Sequence, residues 1–283
     1  MTTNSRYPHI AFVGGGNMAR SIIGGLLADG WPDERISIAD PDTAQRELLQ
    51  AHFPGTRQFA DNRSAAAGAE VVVLAVKPQV VRQVATDLSD VISERSALVV
   101  SIAAGIRSRD LDRWLGGGFS IVRCMPNTPA LVQSGATGLY ANPAAGVEQR
   151  ETAECIVRAV GLCIWFEDES QLEAVTAISG SGPAYFLMVM EALEAAGVSL
   201  GLDEEVSRLL TLQTAFGTAK LALESGEDAA ALRRRVTSPG GTTERAIEQL
   251  ERGELRKVIG FAARAAARRV RELEDELGKE HQS

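Results

Sequence analysis

The chain has 283 residues, 45% of them hydrophobic and 23% charged, which is the composition of an ordinary globular protein of one large or two modest domains. Its 29 basic and 37 acidic residues leave a formal charge of −8, which argues against nonspecific binding to nucleic acid or an anionic membrane. Apolar runs are too short to span a bilayer and residues 1–9 carry no signal-peptide pattern, while Cys124, Cys155 and Cys163 lack C-x-x-C spacing; a cytoplasmic protein with inert buried thiols is expected.

Residues 9–13 form a short apolar strand that runs straight into Gly14, Gly15, Gly16, Asn17, Met18 and Ala19. A helical pattern follows, with Ile22, Ile23, Leu26 and Leu27 on one face. Strand, glycine turn and helix together match G-x-G-x-x-A. Gly14 turns the chain, Gly16 admits a pyrophosphate, and Ala19 lets helix and strand pack closely. Residues 36–39 are a second strand, ended by Asp40. An acid there suits the ribose hydroxyls of NAD; the competing reading is a helix cap, which Asp also favours.

Residues 71–76 are a near-continuous β-branched run, the pattern of a strand buried on both faces, and it ends in Lys77 and Pro78. Residues 98–102 repeat that pattern and end in Ala103, Ala104 and Gly105, small enough to let a flat ring approach. A further strand, 120–124, ends in the stiff loop of Met125, Pro126, Asn127, Thr128 and Pro129. Helical stretches at 79–88 and 108–115 alternate with these strands. That alternation points to a doubly wound, mostly parallel α/β sheet with its ligand at the carboxyl ends of the strands. Short strands at 135–142 and 163–167 flank a helix near 147–160.

Strand patterns stop near 165–170, so a dinucleotide-binding domain is expected at 1–167 and an all-α domain at 168–283. Ser179, Gly180, Ser181, Gly182, Pro183, Ala184 and Tyr185 open its main helix, with Phe186, Val189, Met190 and Leu193 on one face and Gly197 expected to end it. Asp203 is the expected cap of the next helix, which runs to about Ser225. A short helix at 228–235 leads into Val236, Thr237, Ser238, Pro239, Gly240, Gly241, Thr242 and Thr243. Pro239 restricts one φ, the two glycines open conformations barred to other residues, and Thr242 or Thr243 is expected to cap a helix reaching Leu250. Such a helix start presents free N–H groups to an anion, or else it is an ordinary interhelical turn. The last helix covers 254–277. Ala-rich helices with sparse large side chains make a thin core, so a homodimer through this half is expected.

Conventional catalytic groups are scarce. His9, His52 and His281 all lie away from the presumed ligand edge, and metal-ligand spacing, G-x-S-x-G and a Walker lysine are absent from the sequence. Lys77 sits on a strand end facing that edge, or is a solvated loop residue. Arg233, Arg234 and Arg235 either draw an anionic substrate or form a solvated helix face, and Tyr185 either supplies a proton or packs. The charges of the last helix, Glu272, Glu274, Asp275 and Glu276 among them, read as surface. A cyclic imine can be reduced without a conventional acid, because its nitrogen can carry its own proton. Positioning can supply up to about 7–11 kcal/mol, so a hydroxyl such as that of Thr243 suffices as donor.

G-G-G-N-M-A at 14–19, V-K-P at 76–78, M-P-N-T-P at 125–129, S-G-S-G-P-A-Y at 179–185 and V-T-S-P-G-G-T-T at 236–243 together resemble pyrroline-5-carboxylate reductase, over nearly the whole chain and in the expected order. The resemblance implies an N-terminal Rossmann domain, a C-terminal helical dimerisation domain, and dimers often assembled into rings such as a decamer. It implies reduction of 1-pyrroline-5-carboxylate to L-proline by NADPH or NADH, with the cofactor on one subunit and the loop at 236–243 supplied by the other. Carried over, the substrate carboxylate lies against Ser238 and the N–H groups of Gly240, Gly241 and Thr242, within a loop that includes Val236 and Thr237, and Thr243 bonds the imine nitrogen. Gly14, Gly16, Asn17, Met18, Ala19, Asp40, Asn62, Val76, Lys77, Pro78, Ala103 and Ala104 line the cofactor. Asp40 departs from the small or basic residue common there among NADPH users, with Arg46 as a possible compensation, so both cofactors stay open. Two other readings remain: a β-hydroxyacid-type dehydrogenase, for which Lys220 would be the lysine, and a non-catalytic dinucleotide-binding protein.

Overall fold

The computed structural model describes residues 7–279; residues 1–6 and His281 lie outside them. One sheet of eight strands runs in the order β3-β2-β1-β4-β5-β6-β7-β8. Its members are β1 (Ile10–Val13), β2 (Ile36–Ala39), β3 (Arg57–Phe59), β4 (Val71–Leu74), β5 (Leu98–Ser101), β6 (Ile121–Met125), β7 (Gly135–Ala141) and β8 (Gly161–Trp165). All neighbours pair in parallel except β6 with β7. The helices between them are α1 (Asn17–Ala28), α2 (Thr43–His52), α3 (Asn62–Ala66), α4 (Pro78–Arg95), α5 (Ser108–Leu115) and α6 (Val147–Arg158), and α7 (Gln171–Val175) follows β8.

Strand residues alternate between two apolar layers, which is why the central strands read as continuous hydrophobic runs. Ile10 and Phe12 enter a layer with Ile22, Ile23, Leu26, Ile36 and Ile38. Ala11 and Val13 face the opposite layer, with Val72, Leu74, Val81, Leu88 and Leu111. Strand order reverses between β1 and β4, so the crevice of a doubly wound sheet opens beyond Val13 and Leu74. The three-residue β3 was not foreseen; it is an edge strand whose side chains are exposed or half-buried, so it carries no burial pattern in the sequence.

A second set of helices follows: α8 (Gly182–Ser199), α9 (Glu204–Ser225), α10 (Ala229–Arg235), α11 (Thr242–Arg252) and α12 (Leu255–Gly278). The chain divides into one compact unit that runs to Ser181 and resumes at Ala266, and a second, Gly182–Ala265. The last strand ends at Trp165, and the first unit continues past that point and takes in the end of α12. Three residues explain that return. Glu274, expected at the surface, is only 4% exposed, and its carboxylate accepts from Arg123 Nη2 at 3.1 Å and Arg107 Nε at 3.0 Å. Arg123 also reaches Glu169 at 2.7 Å, which in turn accepts from Ser108 N and Oγ at 2.6 and 2.8 Å. Buried charges persist only when paired in this way, and these partners are too far apart in sequence to be read as a pattern.

Within the second unit, Gly197 does not end α8 as expected; the helix runs on to Ser199, and Gly201 turns the chain at φ +95°. Gly197 instead permits close helix packing, since a Cβ there would lie 2.1 Å from Ser207 Oγ on α9. Asp203 caps α9 as expected, accepting from Glu205 N at 2.9 Å. Cys124 is buried, and burial raises its thiol pKa, but Cys155 is exposed, which corrects the expectation of three buried thiols. Among the described residues no helix is long and apolar enough to cross a membrane.

Candidate active site

The first unit builds an anion cradle at the end of β1. Gly14 takes φ +99°, its N–H donates to Ala39 O at 2.9 Å, and a Cβ on it would stand 2.8 Å from Ala75 O. Only glycine fits between the ends of β1 and β4. Gly15 is equally confined, with Leu49 Cδ1 at 2.4 Å from a built Cβ. Gly16 is different: it is exposed, a Cβ there would meet nothing within 4 Å, and it heads α1 without a side-chain cap. The first intrahelical bond is Arg20 N to Gly16 O at 3.0 Å, so the N–H groups of Asn17, Met18 and Ala19 have no acceptor in the helix. Three free N–H groups behind an open glycine suit a pyrophosphate.

The other residues of the expected cofactor set lie on α1, beyond β4 and β5, and at the start of α3. Ala19 is buried against the sheet, Met18 is half-buried and Asn17 exposed. Val76 is half-buried, and its Cγ1 would lie 3.0 Å from a Cβ on Gly14. Lys77 is exposed at the head of α4, with Pro78 as first helical residue. Ala103 is buried and Ala104 half-buried beyond β5. Asn62 opens α3, whose cap is Asp61, accepting from Ser64 N at 2.8 Å.

Asp40 is not a helix cap; Asp42 caps α2, accepting from Ala44 N at 2.9 Å. Both Asp40 oxygens serve the loops instead. Oδ2 accepts from Gly15 N at 3.0 Å and Oδ1 from Asp42 N at 3.0 Å. Arg46 does lie beside it, but its guanidinium folds onto the Asp40 and Pro41 carbonyls at 2.8 and 2.9 Å and Thr43 Oγ1 at 2.9 Å. Asn127 ties down the loop of residues 125–129. Its Nδ2 donates to Ser179 O at 3.0 Å and its Oδ1 accepts from Ala136 N at 2.8 Å.

The second unit builds a comparable helix start between α10 and α11. Thr237 closes α10, its Oγ1 donating to Arg233 O at 2.6 Å. Ser238 O accepts from Gly241 N at 3.0 Å across Pro239 and Gly240, and Gly240 takes φ +73°, the pattern of a type II turn. Gly241, not Thr242 or Thr243, is the residue at the head of α11, and it has no side-chain cap. Both threonine hydroxyls are released by this geometry, because a cap must precede the helix and these two lie inside its first turn. Among the described residues, Thr243 Oγ1 and Ser238 Oγ make no hydrogen bond. Val236 is exposed.

Glu244 was not foreseen as part of this turn. Its Oε2 accepts from Gly240 N at 2.8 Å. The signal was present: an acid at the third helical position habitually reaches back to the N–H groups ahead of the helix. Of the three N–H groups foreseen as anion donors, Gly240 and Gly241 thus have acceptors within the chain.

Other candidates have ordinary duties. Arg233 pairs with Glu251 at 3.2 Å, Arg235 pairs with Glu227, and Arg234 is exposed. Lys220 is exposed on α9, 3.8 Å from Glu224. His9 Nε2 lies 2.8 Å from Ser37 Oγ, and burial followed by the charges of Arg57 and Arg35 lowers its pKa. His52 bonds Leu48 O within α2. No group of acidic, histidine or cysteine residues suited to a metal occurs among the described residues.

Residues 169–273 match the family model for pyrroline-5-carboxylate reductase dimerisation, and residues 9–105 that for NADP oxidoreductase, coenzyme F420-dependent. A pyrroline-5-carboxylate reductase of Pseudomonas aeruginosa is 48% identical, covering 96% of this chain and 99% of its own length. Among solved structures, a pyrroline-5-carboxylate reductase from Coxiella burnetii is 46% identical over 95% of this chain and 99% of its own, with a TM-score of 0.90. A pyrroline carboxylate reductase of Plasmodium falciparum, solved with NADP bound, is 27% identical over 94% of this chain and 98% of its own, with a TM-score of 0.84.

Proposed function

The chain belongs to the pyrroline-5-carboxylate reductase family, and from that premise we propose that it reduces the C=N bond of 1-pyrroline-5-carboxylate to give L-proline. The observations that carry the reading are an open, uncapped glycine helix start in the first unit and, within the second unit, a released threonine hydroxyl on another such start. Gly14, Gly16, Asn17, Met18 and Ala19 would hold the pyrophosphate of NADPH or NADH, with Asp40, Asn62, Val76, Lys77, Pro78, Ala103 and Ala104 along the rest of the cofactor. When bound, the reduced nicotinamide supplies hydride to the imine carbon.

The chain's own residues then have two tasks. Ser238, Gly240, Gly241 and Thr242 hold the substrate carboxylate within the loop that Val236 and Thr237 begin, using hydroxyl and N–H groups at the positive end of α11. Thr243 donates to the ring nitrogen and fixes its orientation. An imine that arrives protonated keeps that proton as the amine forms, so a histidine or lysine acid is unnecessary. His9, His52 and Lys220 are engaged instead with Ser37, Leu48 and Glu224.

The second unit leaves large side chains bare: Phe186, Met188, Phe216 and Phe261 are each more than three-fifths exposed and Leu223 is 85% exposed. Their natural cover is a second copy, so we read a homodimer through this unit, with dimers assembling further into a decameric ring. In that dimer the loop at 236–243 of one copy completes the cofactor site of the other. Three scattered cysteines without C-x-x-C spacing and an acidic net charge fit a cytoplasmic setting.

The test is NADPH and NADH oxidation measured in parallel with 1-pyrroline-5-carboxylate, against a small 3-hydroxy acid with the oxidised cofactors. Reduction of the imine with either nicotinamide and inertness toward the hydroxy acid is the expected outcome; the reverse would assign the protein to the β-hydroxyacid type.

A further inference from the structure

Among the described residues, Glu244 is the one charged side chain that hydrogen-bonds the turn of the second unit. Its Oε2 lies 2.8 Å from Gly240 N, the donor that the proposed function gives to the substrate carboxylate. Nothing else neutralises it: among the described residues Glu244 forms no ion pair, since its neighbour Arg245 is turned to Glu248 at 3.1 Å and Arg233 to Glu251 at 3.2 Å. The group is therefore a carboxylate held by a backbone N–H and the positive end of α11, which is the chemistry by which the turn would hold a substrate's own carboxylate.

Gly240 supplies the second half of the argument. It is exposed at φ +73°, and a Cβ on it would meet nothing within 4 Å, so the turn leaves open space beside this residue. Gly241 N, by contrast, is tied into the turn by Ser238 O at 3.0 Å, and a Cβ on Gly241 would lie 3.0 Å from that oxygen. Of the N–H groups that the proposed function gives to the substrate carboxylate, that of Gly240 is the one held by a side chain, and the competitor for it is Glu244.

We propose that Glu244 is an internal stand-in for the substrate carboxylate, which must swing off the Gly240 N–H before 1-pyrroline-5-carboxylate seats. The inference rests on the proposed function. Its consequence is a lowered apparent affinity: the binding-competent form is the fraction of molecules in which Glu244 has left, and KM rises in proportion. The exchange replaces one carboxylate by another at the same donor, so the turn keeps its shape while a bare anion without the ring gains little.

Steady-state kinetics with 1-pyrroline-5-carboxylate varied at saturating NADPH test this, using wild type, Glu244→Gln and Glu244→Ala, with acetate inhibition as a second readout. Both substitutions remove the competing charge, and Glu244→Gln keeps an acceptor for Gly240 N. We expect KM for the imine and the acetate inhibition constant to fall about three- to tenfold in both variants, with kcat and the KM for NADPH unchanged. A purely structural back-bond predicts the opposite, a raised KM and lowered melting temperature in Glu244→Ala with recovery in Glu244→Gln. That result, or an unchanged KM in both, overturns the proposal. Should Glu244→Ala fail to fold, Glu244→Gln decides alone. A wild-type enzyme inert toward the imine but active on the hydroxy acid would instead refute the proposed function.

Discussion

The two glycine-lined helix starts of this protein look alike in sequence and are built by different means. Ahead of α1, Gly14 and Gly15 are buried, and the ends of β4 and α2 press so close that a built Cβ would overlap Ala75 O or Leu49. Ahead of α11, Gly240 stands in open surroundings and its conformation comes from a local turn across Pro239. The first is shaped by the core of a parallel sheet and the second by four residues and one side chain. A cradle held by the core is stiff and always presented. One held by a turn can be occupied by the chain's own Glu244 and released, which suits a site that must exchange a small acid on every turnover.

The sharpest break in this comparison is glycine replacement. Gly14→Ala should cost several kcal/mol, because it adds about 1–3 kcal/mol of backbone strain to a clash that the sheet cannot relieve. Thermal melting should show a large loss of stability, and titration of NADPH fluorescence a loss of binding. Gly240→Ala should melt within a few degrees of wild type, its strain being about 1–2 kcal/mol without a clash. A Gly240→Ala protein as unstable as Gly14→Ala would erase the distinction.

A smaller effect is expected from Thr243→Ala. Loss of one donor to the ring nitrogen should lower kcat about tenfold or more, the worth of a hydrogen bond of roughly 1.5 kcal/mol, while NADPH titration is unchanged. Unchanged turnover would remove Thr243 from the mechanism. The smallest effect sharpens the role of Asp40. Its oxygens already accept from Gly15 N and Asp42 N, and under the proposed cofactor placement its charge would face a 2′-phosphate. Asp40→Ser should raise the NADPH-to-NADH ratio of kcat/KM several-fold, by removing like-charge repulsion at an effective dielectric of about 20. A ratio that does not move would leave Asp40 a loop tie alone.

Much of the fold was legible because its signals are local. Continuous β-branched runs marked β4 and β5, and G-x-G-x-x-A between a strand and a helix marked the switch point. The turn at 236–243 was visible for the same reason, since Pro and Gly restrict or free φ wherever they occur. Edge strand β3 escaped because a three-residue strand without buried side chains leaves no periodicity.

By itself, then, the sequence determined which segments become strands and helices, where glycine is obligatory at Gly14, and that a threonine follows the Pro-Gly-Gly turn. The tertiary structure alone decided that Gly197 packs rather than ends a helix, and that Glu274 is buried with Arg107 and Arg123. It also decided that Gly241 heads α11, freeing Thr243. The physical reason is the range of the forces. Backbone preferences and hydrophobic period act over a few residues, whereas the burial of a charge depends on partners about 150 positions away, brought together only when the sheet and α12 have packed.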